Sequence, residues 1–346
     1  MSDSTVSDTS DLRLDALRNW LGTLSPSGAA FNPASLRPAS ADASSRRYFR
    51  LDSQDGVSVI AMDAPPPHDT QQFAKVGELL ASCGMSVPRV LAADHAQGFL
   101  LLDDFGDNTY LRQLNADTAF HLYMEALGAL ARMQGHSRPD VLPEFDRAFM
   151  RHELQIFPDW FIGRFVQLEL STTQQNDLEK SFDLILANCA AQPQVYMHRD
   201  YHSRNLMVLA QGGNPGVLDF QDAVYGPITY DAASLLRDAY IQWDEEMVLD
   251  WLIRYWEMAK RAHLPVHHSI DQFYRDFEYM ALQRHLKILG IFSRLALRDG
   301  KRQFLQDIPL VLDYVRKTVA RYQELKPLLK LMDVLENRQT QHVYSF

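Results

Sequence analysis

Apolar residues recur along the start of the chain with two different periods. Leu12, Leu14, Leu17, Trp20, Leu21 and Leu24 repeat at roughly helical spacing and predict an amphipathic helix that stops before Pro26. The pattern then changes. Tyr48-Phe49-Arg50-Leu51 and Val57-Ser58-Val59-Ile60-Ala61-Met62 are β-like runs, parted by the turn-forming residues Asp52-Ser53-Gln54-Asp55-Gly56. Pro65-Pro66-Pro67 breaks the chain, a helix is predicted over Thr70 to Ser82 with Gly84 and Pro88 ending it, and Val90 to Asp94 and Phe99 to Leu102 read as two strands around Gly98. These segments describe an antiparallel sheet that carries one helix.

Beyond Gly106 the helical period dominates. Ala116 to Gln134, Gln174 to Asn188, Trp243 to Ala262, Ile270 to Leu297 and Phe304 to Leu325 are long periodic segments, and Trp160, Phe161 and Phe165 form an aromatic stripe that reads as core. One β-like island interrupts them. Leu206-Met207-Val208-Leu209, a Gly/Asn/Pro turn and Gly216-Val217-Leu218-Asp219-Phe220 have the spacing of a hairpin. The polar tail after Leu335 is expected to be loose, and no repeat of about 20–50 residues is present. The fold class is α+β: a β-rich small lobe over residues 1–102 and a helical large lobe over residues 103–346, joined near Leu102 to Gly106. The cleft of such a fold is the default place for a site.

Composition narrows the function. The chain has 346 residues, of which 46% are hydrophobic, enough for a substantial core. The net charge of −10 without a Lys/Arg-rich run argues against a nucleic-acid partner. Cys83 and Cys189 lie far apart in no metal-ligand spacing and read as small buried hydrophobes of a reducing compartment. The Ser/Asp/Thr-rich start lacks the basic and apolar regions of a signal peptide, and no apolar run is long enough to span a membrane, so a cytoplasmic protein is expected. No obligate protein partner is inferred.

The segment from Val195 to Asn205 is the most informative. It holds H-R-D-x-x-x-x-N as His198-Arg199-Asp200 and Asn205, and fourteen residues later comes Asp219-Phe220-Gln221. Phosphoryl transfer needs positioning and charge cancellation more than covalent help. Asp200 would orient the attacking hydroxyl and accept its proton. Magnesium takes few protein oxygens and keeps some water, and Asn205 and Asp219 would supply them. The hairpin would return Asp219 to Asn205. A Walker-type G-x-x-x-x-G-K-[ST] loop is absent.

From Leu36 to Leu325 the chain resembles the aminoglycoside phosphotransferase and choline kinase family, relatives of the protein kinases, which implies a protein-kinase-like two-lobed fold using ATP and Mg2+. Its strings look most like those of the bacterial cell-wall recycling kinases that phosphorylate N-acetylmuramate and N-acetylglucosamine at the anomeric hydroxyl. The strings are Ala41 to Arg50, Ala61 to Pro66, Leu101 to Asp107, Leu218 to Ala223 and Tyr230 to Asp238. The substrate so implied is a small amino sugar. An aminoglycoside, choline or other amine-bearing alcohol is the alternative within the fold, and a catalytically silent nucleotide-binding module the alternative outside it.

By position, the resemblance implies that the Asp103 carbonyl and the Phe105 N–H face the adenine. The loop from Ser40 to Arg47 stands where a Gly-rich phosphate cover would but has no glycine, so hydroxyls or backbone amides of Ser44 and Ser45 would have to bind phosphate, and one of Arg46 and Arg47 would add positive charge. Met62 departs from the kinase pattern, since a thioether replaces the lysine that would pair the phosphates, and Glu78 then loses its obvious partner. Asp231 is expected to brace the Asp200 loop, with Arg199 either catalytic or a second brace and His198 a packed core residue. His202, Arg204, Asp107, Asp222 and Tyr225 are the candidate substrate contacts.

Overall fold

The computed structural model describes residues 11–24, 31–39, 46–53 and 56–343, with side chains to residue 338. The chain divides into two compact units, the first of residues 1–79 and 87–106, the second of residues 80–86 and 107–346.

In the first unit, helix α1 (Leu12–Thr23) is capped by the Asp11 carboxylate, which accepts the Leu14 N–H at 3.1 Å. Strands β1 (Arg37–Pro38), β2 (Arg47–Asp52) and β3 (Ser58–Asp63) precede helix α2 (Thr70–Ser82), and β4 (Val90–Asp94) and β5 (Phe99–Asp103) follow it. The strands form one antiparallel sheet in the order β1-β2-β3-β5-β4. Side chains alternate between the faces of a strand, so Leu51, Val59, Ala61, Phe99 and Leu101 point one way. There they meet Leu17, Trp20 and Leu21 of α1 in one buried cluster. Met62 has the opposite parity and is also buried.

The second unit is helical around two short sheets. Its helices are α3 (Tyr110–Gln113), α4 (Ala119–Gly135), α5 (Arg147–Ile156) and α6 (Thr172–Ala191), then, after four short strands, α7 (Tyr230–Leu236), α8 (Glu245–Arg261), α9 (Ile270–Leu297), α10 (Ile308–Arg321) and α11 (Lys326–Val343). Strands β6 (Gln194–Met197) and β9 (Val224–Pro227) pair antiparallel, as do β7 (Leu206–Met207) and β8 (Gly216–Val217). Helix α5 runs on into π-helical turns over Phe157–Phe165, where Phe157, Phe161 and Phe165 stack in sequence. Gly290 of α9 packs against this junction so closely that an added Cβ would lie 2.4 Å from the Ile156 carbonyl oxygen.

Two sequence expectations change here. The single segment from Phe304 to Leu325 is broken, with 3-10 turns at 302–307 and 323–325 flanking α10, and Pro309 and Pro327 stand in the first turns of α10 and α11. The tail after Leu335 is helical as far as Val343 rather than loose.

Candidate active site

The H-R-D loop of the second unit is held from both ends by backbone pairing. Strand β6 enters it and pairs with β9, which leaves the D-F-Q segment, with Met197 opposite Val224. Between them, Leu206 pairs with Val217, and the Leu218 N–H donates to the Asn205 carbonyl at 2.9 Å. Asp219 is therefore one residue from a direct bond to Asn205, the return that the hairpin spacing predicts.

Asp200 joins the same cluster through its backbone. Its carbonyl accepts the Asn205 side-chain amide at 3.0 Å and the His202 N–H at 3.0 Å. His198 spans the two segments: its Nδ1 accepts the Asp200 N–H at 3.2 Å while Nε2 contacts the Leu218 carbonyl at 2.9 Å. These contacts put the proton on Nε2. The buried imidazole is thus the packed core residue that the motif implies. Arg199 (φ +76°) and Asp219 (φ +59°) adopt the left-handed region that side chains other than glycine rarely occupy. Such backbone persists only where its surroundings over-determine it.

Two buried carboxylates supply that determination. Asp231, at the start of α7, accepts the His198 N–H at 2.7 Å and the Arg199 N–H at 3.0 Å. Asp238 accepts the Ser203 N–H at 2.9 Å and the Tyr240 N–H at 3.1 Å. The Asp231 carboxyl is pushed up to about 6 by burial, which the His198 ring and the two backbone donors only partly offset. Asp200 behaves in the opposite way. Burial raises it, but the positive field of Lys287, His202, Arg284 and Arg199 outweighs burial and holds it at about 2.

Arg199 belongs to a deeper network. Its guanidinium donates to Glu153 of α5 at 2.6 Å and lies over the Phe149 ring at 5.1 Å. Glu153 also faces Lys287 of α9 at 3.4 Å, and the Lys287 ammonium donates to the Tyr230 hydroxyl at 2.6 Å. With its charge committed to Glu153 and its N–H to Asp231, Arg199 is held as a brace of the loop, the second of the two roles expected for it.

The substrate candidates divide. His202 is buried, its ring edge-on to Tyr240, and burial lowers its pKa. The Arg204 guanidinium stacks on Tyr240 at 3.6 Å and stands 3.9 Å from Asp307. Asp222 is drawn to Asp219 by Gln221, whose amide donates to both carboxylates at 2.9 Å. Tyr225 packs edge-on against Tyr196 within the β6–β9 sheet. Asp107 is exposed, and its carbonyl accepts the Arg112 guanidinium at 2.9 Å.

The residues expected to meet nucleotide lie in the first unit, except that Ser44 and Ser45 fall outside the described residues. Arg47 is corrected. It shares the parity of Ala61 and Asp63, and its guanidinium is held by Asp63 and Asp11, with the Nε bond to Asp63 at 2.9 Å. Two carboxylates occupy its charge, which leaves Arg46 as the arginine of the pair still a candidate for phosphate. Arg46, one position earlier, has the parity of Met62. The Asp103 carboxylate accepts the Arg89 backbone at 3.1 Å and its side chain at 2.7 Å, which leaves only its backbone for other duties.

Sequence reasoning overlooked Asp104. Its carboxylate accepts Arg50 at 3.0 Å, Ser58 at 2.7 Å and the Gly106 N–H at 2.8 Å, so it fixes the turn that carries Phe105. Burial raises the Asp104 pKa, and these three partners bring it below the ordinary value. The doubled aspartate of Asp103-Asp104 was the available signal, since a second buried carboxylate needs partners.

Residues 35–264 match the model of a family described as phosphotransferase enzymes. An N-acetylmuramate/N-acetylglucosamine kinase of Neisseria meningitidis is 48% identical over 91% of this chain and 94% of its own. The chain belongs to the phosphotransferase enzyme family. Solved structures of this fold are similar at low identity. A choline kinase from Cryptosporidium parvum superposes with a TM-score of 0.63 at 11% identity over 92% of this chain and 99% of its own. An aminoglycoside phosphotransferase with ADP bound gives 0.55 at 15%, over 88% and 97%. The family match leaves α1 and all of α9 to α11 outside its span. The H-R-D-x4-N and D-F-Q segments lie inside it, but Lys287 does not.

Proposed function

We propose that the protein is an ATP-dependent kinase that phosphorylates N-acetylmuramate and N-acetylglucosamine at the anomeric hydroxyl, as a cytoplasmic step in the recycling of cell-wall sugars. The single observation that carries the substrate is the 48% identity to the Neisseria kinase named for these two sugars. The chemistry is supported by the joining of the Asp200 and Asn205 loop to the Asp219 segment.

In this reading Asp200 receives the sugar hydroxyl as a hydrogen bond, aligns its oxygen with the γ-phosphorus and takes up the proton as the new O–P bond forms and the bond to ADP breaks. A carboxylate held at about 2 is a weak base, so its main part is alignment. The anomeric hydroxyl suits it, being more acidic than an ordinary alcohol.

The donor set fits magnesium. Hydrogen bonding of the Asn205 NH2 to Asp200 leaves the amide oxygen available, Asp219 adds a carboxylate, and no cluster of three or more His, Cys, Asp or Glu that could hold a metal exists among the described residues. Two protein oxygens completed by phosphate and water are what magnesium accepts. Bound there, it would neutralise phosphate charge. In the first unit the Asp103 carbonyl and the Phe105 N–H would take the adenine, and Arg46 would supply the cation that Met62 does not.

The test is direct: purified protein with Mg-ATP is offered both sugars, choline and a set of aminoglycosides. Phosphorylation of the two sugars with loss of their reducing-end reactivity is expected. If neither sugar is phosphorylated, the assignment fails.

A further inference from the structure

Helix α9 is buried all round from Gln283 to Lys287, and three of its four polar residues there have hydrogen-bond partners, although Gln283 Oε1 and His285 Nδ1 have none among the described residues. The Gln283 amide donates to Glu153 at 3.3 Å, the His285 Nε2 contacts the Arg237 carbonyl at 2.8 Å, and Lys287 is held by Tyr230 and Glu153. Arg284 differs. Only 3% of it is exposed, and neither its Nε nor its Nη1 has a hydrogen-bond acceptor among the described residues. Two buried guanidinium nitrogens without acceptors are costly, because no hydrogen bond repays their dehydration.

No hydrogen bond or ion pair joins Arg284 to a carboxylate among the described residues. Both oxygens of Asp238 accept backbone N–H groups, and Asp307 is the carboxylate that Arg204 approaches. The neighbours of Arg284 on α9 reach the Arg237 carbonyl at 2.8 Å and the Tyr230 hydroxyl at 2.6 Å, and its charge acts on Asp200, His202 and Tyr240, so it lies beside the loop proposed to receive the acceptor. It also lies outside the span matched to the family.

The two sugars of the proposed function differ by a single lactyl ether that ends in a carboxylate. We propose that Arg284 binds that lactyl carboxylate and sets the preference for N-acetylmuramate over N-acetylglucosamine. This inference rests on the sugar-kinase reading. A guanidinium matches a carboxylate with two parallel hydrogen bonds, and burial strengthens both.

Initial rates of the full chain with Mg-ATP on the two sugars, and on the uncharged carboxamide of N-acetylmuramate, test it. R284Q should lower kcat/KM for N-acetylmuramate relative to N-acetylglucosamine by about 10- to 100-fold, the range of one charged hydrogen-bond pair, and the loss should appear in KM. R284K should fall between. Wild-type protein should already discriminate against the carboxamide by a similar factor, which needs no variant to fold. A specificity ratio within about threefold of wild type, an equal fall in kcat on both sugars, or wild-type indifference to the carboxamide each overturns the assignment. The equal fall would mean that Arg284 acts only through Asp200. Wild-type protein inert on both sugars would overturn the functional reading itself, and the role of Arg284 with it.

Discussion

The two units treat buried carboxylates differently. In the first, Asp63 is fully buried, but the two arginines that meet it, Arg13 and Arg47, keep about a third of their side chains in water. In the second, Glu153 is 5% exposed and its partners Arg199 and Lys287 are 21% and 8% exposed. The first arrangement pins a helix to a sheet from the rim. The second places three charges in the interior beside the H-R-D loop, where each depends on the others. Rim pairs are screened and contribute modestly, whereas interior pairs are costly to break. The units also differ at the expected chemistry: the strand lysine is replaced by buried Met62, while the H-R-D-x4-N and D-F-Q segments are complete.

The largest effect expected is on turnover. D200A should lower kcat for sugar phosphorylation by about 1,000-fold or more while the unfolding transition stays close to that of wild type, because the loop is held by backbone bonds to Asp231 and Asp238 and not by the Asp200 carboxylate. Steady-state rates beside urea melts check both halves. An unchanged rate would remove Asp200 from the chemistry and erase the contrast between the units.

Next comes the interior network. E153Q leaves Arg199 and Lys287 without their counter-charge and should destabilise the protein by about 3 kcal/mol. Burial raises the Glu153 carboxyl, but Lys287 and Arg199 overcome this and hold it below its ordinary 4.5. A carboxyl depressed in the folded state stabilises above its unfolded value and loses that contribution as pH falls through the folded value. Wild-type stability should therefore fall below about pH 4.5, and E153Q should flatten that part of the acid limb. A loss below 1 kcal/mol with an unaltered acid limb would show that the network is no more than a rim pair.

Much of this was legible in the sequence, for identifiable reasons. The periods of α1, α2 and α9 are long and uninterrupted, and the site motif carries its own spacing, so the meeting of Asn205 with the Asp219 segment follows from a hairpin one can read. The β6–β9 pair is different. Gln194–Met197 is four residues long, and Val224–Pro227 contains glycine and proline and lies beyond the hairpin, so nothing local marks them as partners. Helix α5 and its π-helical continuation contain Pro158, which reads as a break. Glu153 and Lys287 lie 134 residues apart on helices where a solvated charge is the ordinary expectation. Arg47 misled for a related reason. Its parity was readable once the strand was placed, but Asp11 and Asp63, which use up its charge, come together only when α1 packs on the sheet.

The smallest effect belongs to the rim. D63N keeps the shape of the side chain and can still accept hydrogen bonds, but it removes the charge shared by Arg13 and Arg47. Since both arginines reach water, they can be rehydrated in place, and the expected cost is about 1 kcal/mol. The loss should shrink further in high salt, which screens exposed charges more than buried ones. E153Q, in contrast, should lose nearly as much in 1 M salt as in dilute buffer. Urea melts of the two variants at both salt concentrations put the comparison on one scale. Equal losses with equal salt dependence would mean that exposure of the arginines does not distinguish the two networks. A larger loss in D63N, reaching kcat as well, would mean that release of Arg47 disturbs the strand that carries Met62.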